Sequence, residues 1–381
     1  MSVFCERCLL VFLLAAAWAC AGEPAVEQTD AHTTHVGPVT DDDAGLQPGD
    51  AARDADGVLV SAVLDADTAD ARVQDTDAWR RPEVSFPEPG SRAPLKLSEL
   101  GLYRDSATKQ LAPDLIEYEP RYALWADGAL KRRWLYLPAG TGIDTSDPDH
   151  YRFPQGSVLF KEFASEAGKR LETRVLARTG PLPSDVFMGS FVWLDDESDA
   201  LFQPDGASNV RGTQHDVPTQ KNCDTCHRGE PGRVLGFAAV QQPRVLGSSF
   251  VVPGARYDIP GDEAARAALG YLHANCAHCH NEDGIARKDT RLALRISVHD
   301  VTPASTAIER SVVGVLTDHF TDHGEPAGLR VKPGDPEGSA VVKRMKLRGV
   351  EGTAMPPLGT ERVDELGLRS IERWITSLSG G

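Results

Sequence analysis

The sequence predicts an α+β chain of several domains. An antiparallel β-rich domain over 90–250 is followed by an all-α domain over 260–379. Three observations carry this expectation. Four runs rich in β-branched and aromatic residues, each bounded by turn signals, fall between residues 131 and 194. Two segments with apolar residues at a period near 3.6 fall at 262–275 and 364–378. An acidic stretch of low complexity precedes both, so the folded part is expected to begin near residue 90.

The 381 residues carry a formal net charge of −16. An acidic chain lacks the basic face that nucleic-acid binding needs. The charge is unevenly spread. Residues 21–78 hold 14 acids against only Arg53 and Arg72, so most of the excess sits there. Rich in Ala, Asp, Thr and Gly, that stretch cannot bury enough apolar surface to offset ordering entropy. It reads as a disordered acidic linker over 21–85. Residues 58–64 (VLVSAVL) are its one apolar island, for which we have no account.

Residues 1–20 read as an export signal. The apolar run 9–17 is too short to span a membrane, and 17–19 (AWA) fits a small-x-small cleavage pattern before Cys20. The placement of Cys20 also resembles a bacterial lipoprotein signal. Simple secretion to the periplasm and lipidation at Cys20 as an outer-membrane lipoprotein both fit. Membrane contact is expected only through that lipid.

Seven cysteines are present, and Cys5, Cys8 and Cys20 lie in the signal. The other four form two pairs, in 223–227 (CDTCH) and 276–280 (CAHCH). Both read C-x-x-C-H, the pattern that attaches c-type haem. Two thiols at this spacing add across the two vinyl groups of one haem, and the next histidine lies under the iron as proximal ligand. A zinc site or a redox dithiol would use the cysteines but leave the repeated terminal histidine unexplained. The cofactors expected are therefore two covalently attached c-type haems. Cys223, Cys226 and His227 would hold the first; Cys276, Cys279 and His280 would hold the second.

In the C-terminal part, Asp262 follows a Pro-Gly pair and is a candidate N-cap. Ala265, Leu269 and Leu272 give the helix one apolar face that runs into Cys276. The last helix, 364–378, has Leu366, Ile371, Trp374, Ile375 and Leu378 at helical spacing. Between them, Met355 is stiffened by two prolines. Methionine sulfur is a common second axial ligand and raises the potential. Met345, in 341–349 (VVKRMKLRG), is the rival, but it sits among Val341, Val342 and Leu347 on an expected helix and reads as core filler. His273 and His278 are assigned no role.

This order of helix, C-x-x-C-H, Met-Pro loop and terminal aromatic helix resembles the class I cytochrome c fold over 262–379. The resemblance implies Cys276 and Cys279 as thioether sites, His280 as proximal ligand and Met355 as distal ligand. Extra chain around 297–330 departs from a compact unit of that kind. Only 48 residues (228–275) separate the two motifs, too few for a second such unit. The first haem must therefore be held by the β-rich domain before it.

That domain is expected from 131–137 (KRRWLYL), 156–163 (GSVLFKEF), 170–177 (RLETRVLA) and 186–194 (VFMGSFVWL). Segments 123–134 (ALWADGALKRRW), 153–161 (FPQGSVLFK), 172–176 (ETRVL) and 355–359 (MPPLG) resemble an uncharacterised family of exported di-haem c-type cytochromes, over about 90–379. The middle region, about 116–230, is also similar to the cytochrome c-prime-beta group, whose relatives include hydroxylamine-oxidising cytochromes with a lysine cross-linked to haem. That likeness implies a first haem with no sixth protein ligand. Lys161 lies in the matching segment but reads as an outward strand lysine. For the sixth position, an open or water-ligated iron, His215 or another histidine, and Met188 or another methionine all stay open. Segment 232–242 (GRVLGFAAVQQ) reads as haem wall.

The function expected is electron transfer between periplasmic redox partners. The alternative is a haem enzyme acting at an open first haem on a peroxide, nitric oxide or hydroxylamine-type molecule. No catalytic residue is assigned; Glu162, Glu172 and His215 are candidates only by their nearness to the motifs.

Overall fold

The computed structural model describes residues 79–378, apart from 85, 87–94, 323–324, 327 and 350–352. The export signal, Cys20 and nearly all of the acidic linker lie outside the described residues. The architecture is α+β. A seven-stranded antiparallel sheet comes first, and helices follow it.

The strands are β1 (Tyr103–Asp105), β2 (Gln110–Leu111), β3 (Leu115–Glu119), β4 (Leu130–Tyr136), β5 (Val158–Ala164), β6 (Arg170–Arg178), β7 (Val186–Trp193), β8 (Ala200–Phe202) and β9 (Arg244–Leu246), with a two-residue pair, β10 (Thr321–Asp322) and β11 (Glu325–Pro326), among the helices. β1 and β2 form a separate small hairpin. The large sheet runs β8-β7-β6-β5-β4-β3-β9. It is a meander up to β8. The chain then passes through the first motif and returns to add β9 beside β3 at the far edge. The four expected strands correspond to β4–β7. The short flanking strands carried too few residues to be read from pattern alone.

Both faces of the sheet are covered. One buries Trp134, Val158, Phe160, Val175, Phe187 and Phe191 against Leu97, Leu100 and Leu102. The other buries Leu135, Leu159 and Leu176 against Tyr151, Phe153, Val234 and Phe237. Double coverage is why β5 is buried or half-buried at every position rather than alternating. It also overturns the outward reading of Lys161. Lys161 is half-buried and shares the face of Leu159, which the segment after the first motif covers.

The helices are α1 (Gln220–His227), α2 (Glu263–Asn275), α3 (Ala307–Val312), α4 (Ala340–Lys346) and α5 (Glu365–Ser377). Asp262 caps α2 by accepting from the Ala265 N–H at 2.8 Å. Asp364 caps α5 by accepting from the Gly367 N–H at 2.9 Å. α2 and α5 pack through Leu269, Leu272, Leu368, Ile371, Trp374 and Ile375, with Met345 of α4 in the same core. Gly367 lets them approach, because a Cβ there would overlap the Tyr271 ring. Leu366 departs from the expected apolar face: it is 73% exposed. The buried stripe uses Leu368, Ile371 and Ile375, and Leu366 falls on the opposite side of the turn. No helix among the described residues is long and apolar enough to cross a membrane.

Sheet and helices are stitched together by polar contacts. Asn275, at the end of α2, accepts from the Trp125 N–H at 2.7 Å and donates to the Ala123 carbonyl at 3.2 Å. Its side chain is 3% exposed. Asn275→Ala strands those backbone groups out of water. It should destabilise the chain by about 1–3 kcal/mol, read as a lower midpoint in urea denaturation with an unchanged slope.

Candidate functional site

The first motif lies on α1, started by Thr219, whose hydroxyl accepts from the Asn222 N–H at 3.2 Å. Cys223 and His227 turn toward the sheet. With Lys161, Met188, Arg133 and Arg174 they line a cavity of about 150 Å3. The His227 Nδ1 lies 2.6 Å from the Arg233 carbonyl. A carbonyl only accepts, so Nδ1 carries the proton and Nε2 keeps a free lone pair. Burial favours the neutral ring and lowers its pKa.

The second motif follows α2 directly. Cys276 caps that helix, and the His280 N–H donates to the Cys276 carbonyl at 2.9 Å. The motif opens on a larger cavity of about 670 Å3. Its lining includes Cys276, Cys279, His280, Met345 and Met355. His280 is 8% exposed, and its Nδ1 is buried without a hydrogen-bond partner. Burial pulls its pKa down to about 4. Met355 is held by its own backbone N–H, which donates to the Arg344 carbonyl at 3.0 Å. Both methionines weighed from the sequence reach this cavity. Met345 does so from within the helical core; Met355 is half-buried on its loop.

The two motifs abut. Asn281 donates to the Gly229 carbonyl at 3.1 Å and to the Ala277 carbonyl at 2.6 Å. A Cβ at Gly229 would overlap the His278 carbonyl, so this crossing admits only glycine. The Cys279 Sγ lies 3.9 Å from the Thr225 carbonyl. Ligand atoms of Cys226, His278 and Cys279 all lie within 4.8 Å of one another. Cys279, with help from His278, lowers the Cys226 pKa, while Cys226 and burial raise that of Cys279. Burial also pushes Cys223 up to about 11 and Cys276 up to about 12.

His215 does not line either cavity. Its Nε2 lies 2.9 Å from Glu172 Oε1, and its ring packs against Phe163. Met188 does line the first cavity. Burial alone would push Glu172 up, but Arg174 and His215 outweigh it and bring the carboxyl down to about 2. Arg133, Lys161 and Arg174 were missed as wall residues. Their signal was present in the sequence as basic residues at matching positions of adjacent strands, but it needed the register to be seen.

No family model, no curated protein and no solved structure matches this chain.

His273 is spent on structure: its Nδ1 accepts from the Ile296 N–H at 3.1 Å. Burial lowers its pKa from 6.5 to about 3. The unfolded chain therefore binds a proton that the folded chain refuses, and stability falls as pH drops from about 6.5 toward 3. His273→Asn, which keeps an acceptor, should flatten that acid limb in pH-dependent urea unfolding.

Proposed function

We propose that the chain is an exported di-haem c-type cytochrome that passes electrons between redox protein partners. Cys223, Cys226 and His227 would hold one haem. Cys276, Cys279 and His280, with Met355, would hold the other in a class I cytochrome c-like setting. The observation that carries this reading is that each C-x-x-C-H places its imidazole in a cavity lined by its own cysteine, and that the two motifs touch.

The donor set at the second motif fits the group; at the first, Cys223 and His227 line the cavity while Cys226 lines the second one. At the second motif the cavity lies within the range of about 300–1,000 Å3 typical of cofactor sites. The orphaned His280 Nδ1 and two methionines complete a nitrogen-and-sulfur lining. At the first motif, the Arg233 carbonyl fixes the tautomer that leaves Nε2 free. The cavity there is smaller, and the side chains that extend into it, Lys161 and Met188, are unbranched and able to swing aside. Bound haem supplies reversible one-electron chemistry at iron, tuned by its axial ligands and burial. The protein buries His280, half-buries His227 and holds the two motif segments in direct contact.

One observation favours the second reading, a haem enzyme. His215 is committed to Glu172, so the histidine nearest in sequence does not cap the first site. An open first site would admit a peroxide, nitric oxide or hydroxylamine-type molecule. Export to the periplasm, with or without a lipid on Cys20, belongs to the same proposal.

The test is haem content. The purified protein should carry two haems per chain, and Cys226→Ala or Cys279→Ala should each lower that number. Unchanged haem in both variants would end the reading. Adding carbon monoxide to the dithionite-reduced protein separates the alternatives. A Soret shift from about half the haem marks an open iron and the enzyme reading; no shift marks an electron carrier.

A further inference from the structure

Three cations lie side by side on the sheet. Arg133 of β4 is in register with Lys161 of β5, and Lys161 is in register with Arg174 of β6. Like charges directly opposite on neighbouring strands repel and destabilise the pairing. All three line the cavity that holds Cys223 and His227.

The row is only partly compensated from within. Arg174 is bound to Glu172, with its Nε donating to Oε1 at 2.8 Å. Arg133 and Lys161 have no hydrogen bond or ion pair to an acidic group among the described residues. Glu119, the acid next in reach of Arg133, is paired with Arg244 at 2.6 Å. Arg133 is 8% exposed. The Lys161 Nζ lies 4.8 Å from the centroid of the Phe163 ring. The next member of the row, Ser190 of β7, carries a buried hydroxyl with no hydrogen-bond partner.

Burying an unpaired charge is expensive, and here Arg133 is buried and Lys161 half-buried. An arrangement of this kind makes physical sense when an anion fills it. Arg133 brings a planar donor fork suited to an oxyanion, and Lys161 brings a mobile point charge.

We propose that Arg133, Lys161 and Arg174 form an oxyanion-recognition row on the wall of the first site. The oxyanion is either a carboxylate of the haem attached at Cys223 and Cys226 or a free oxyanion that enters the cavity. The first source rests on the proposed haem function; the second does not. Burial and the neighbouring cations also push the Lys161 pKa well below its usual value.

The experiment uses the full chain with Arg133→Gln, Lys161→Met and the charge-keeping Lys161→Arg, and inorganic phosphate as the probe. Haem per chain is measured first. If the source is the haem carboxylate, phosphate leaves the wild type unchanged. Arg133→Gln and Lys161→Met then lower the midpoint potential of one haem and spare the other, while Lys161→Arg restores it. Lys161→Met should also raise the Tm of the haem-free chain, by relieving repulsion, and lower that of the loaded chain. If the source is a free oxyanion, phosphate saturably raises the Tm of the wild type, with or without haem. Its apparent affinity then falls at least tenfold in Arg133→Gln and Lys161→Met. Wild-type potentials and Tm in both charge-removed variants, with no response to phosphate, would overturn the proposal. A chain without haem would sink the functional reading alone, and the phosphate arm would then decide this one.

Discussion

The crossing of the two C-x-x-C-H segments at Gly229 constrains everything around it. Gly229 has no side chain because the His278 carbonyl occupies the space. Its own carbonyl accepts from Asn281 and from Arg295, the latter at 2.7 Å. Arg295 then reaches Glu230 at 2.7 Å, and Glu230 holds His150 at 2.8 Å. His150 belongs to the connection between β4 and β5. Four parts of the chain, far apart in sequence, thus meet at one partly buried charged knot. Glu230 and Arg295 are both mostly shielded from water, where charge-assisted hydrogen bonds are stronger than at the surface.

That knot also relates the two imidazoles to different surroundings. His227 looks onto a sheet and has its proton fixed by a backbone carbonyl. His280 looks onto a helical cavity and has no such partner. Two pentapeptides of one pattern, CDTCH and CAHCH, are therefore placed in unlike electrostatic settings, one rich in cations and one rich in apolar and sulfur-bearing side chains. Were both motifs to hold haem as proposed, unlike settings would give a direction to electron flow, because potential follows local charge and burial.

Much of this was legible in the sequence. The strands β4–β7 are long and aromatic enough to be read from composition, and the caps Asp262 and Asp364 mark α2 and α5. Local C-x-x-C-H spacing singles out Cys223, Cys226, His227, Cys276, Cys279 and His280 in the sequence, and with Met355 they line the two cavities. What spacing could not give is anything that depends on register or return of the chain. Lys161 read as outward because a single strand does not show that both faces of its sheet are covered. His215 read as a candidate ligand because nearness in sequence hid its commitment to Glu172. Glu172 spends its hydrogen bonds on Arg174 and His215 and makes none to Lys161. Leu366 fitted a helical period but lies on the wrong side of it.

The segment between the motifs leaves α1, adds β9 to the sheet, and comes back along α2 to the place it left. It is a closed circuit pinned at Gly229 and His278. Closing a chain costs free energy that grows only with the logarithm of its length, about 0.6 kcal/mol for each doubling. Residues 247–249, just past β9, are exposed, and Gly247 is in the left-handed region at φ 62°. Chain added at that corner lengthens the circuit without moving its ends. The fold can therefore absorb new surface, such as an altered docking face, while the separation of the two motifs stays fixed.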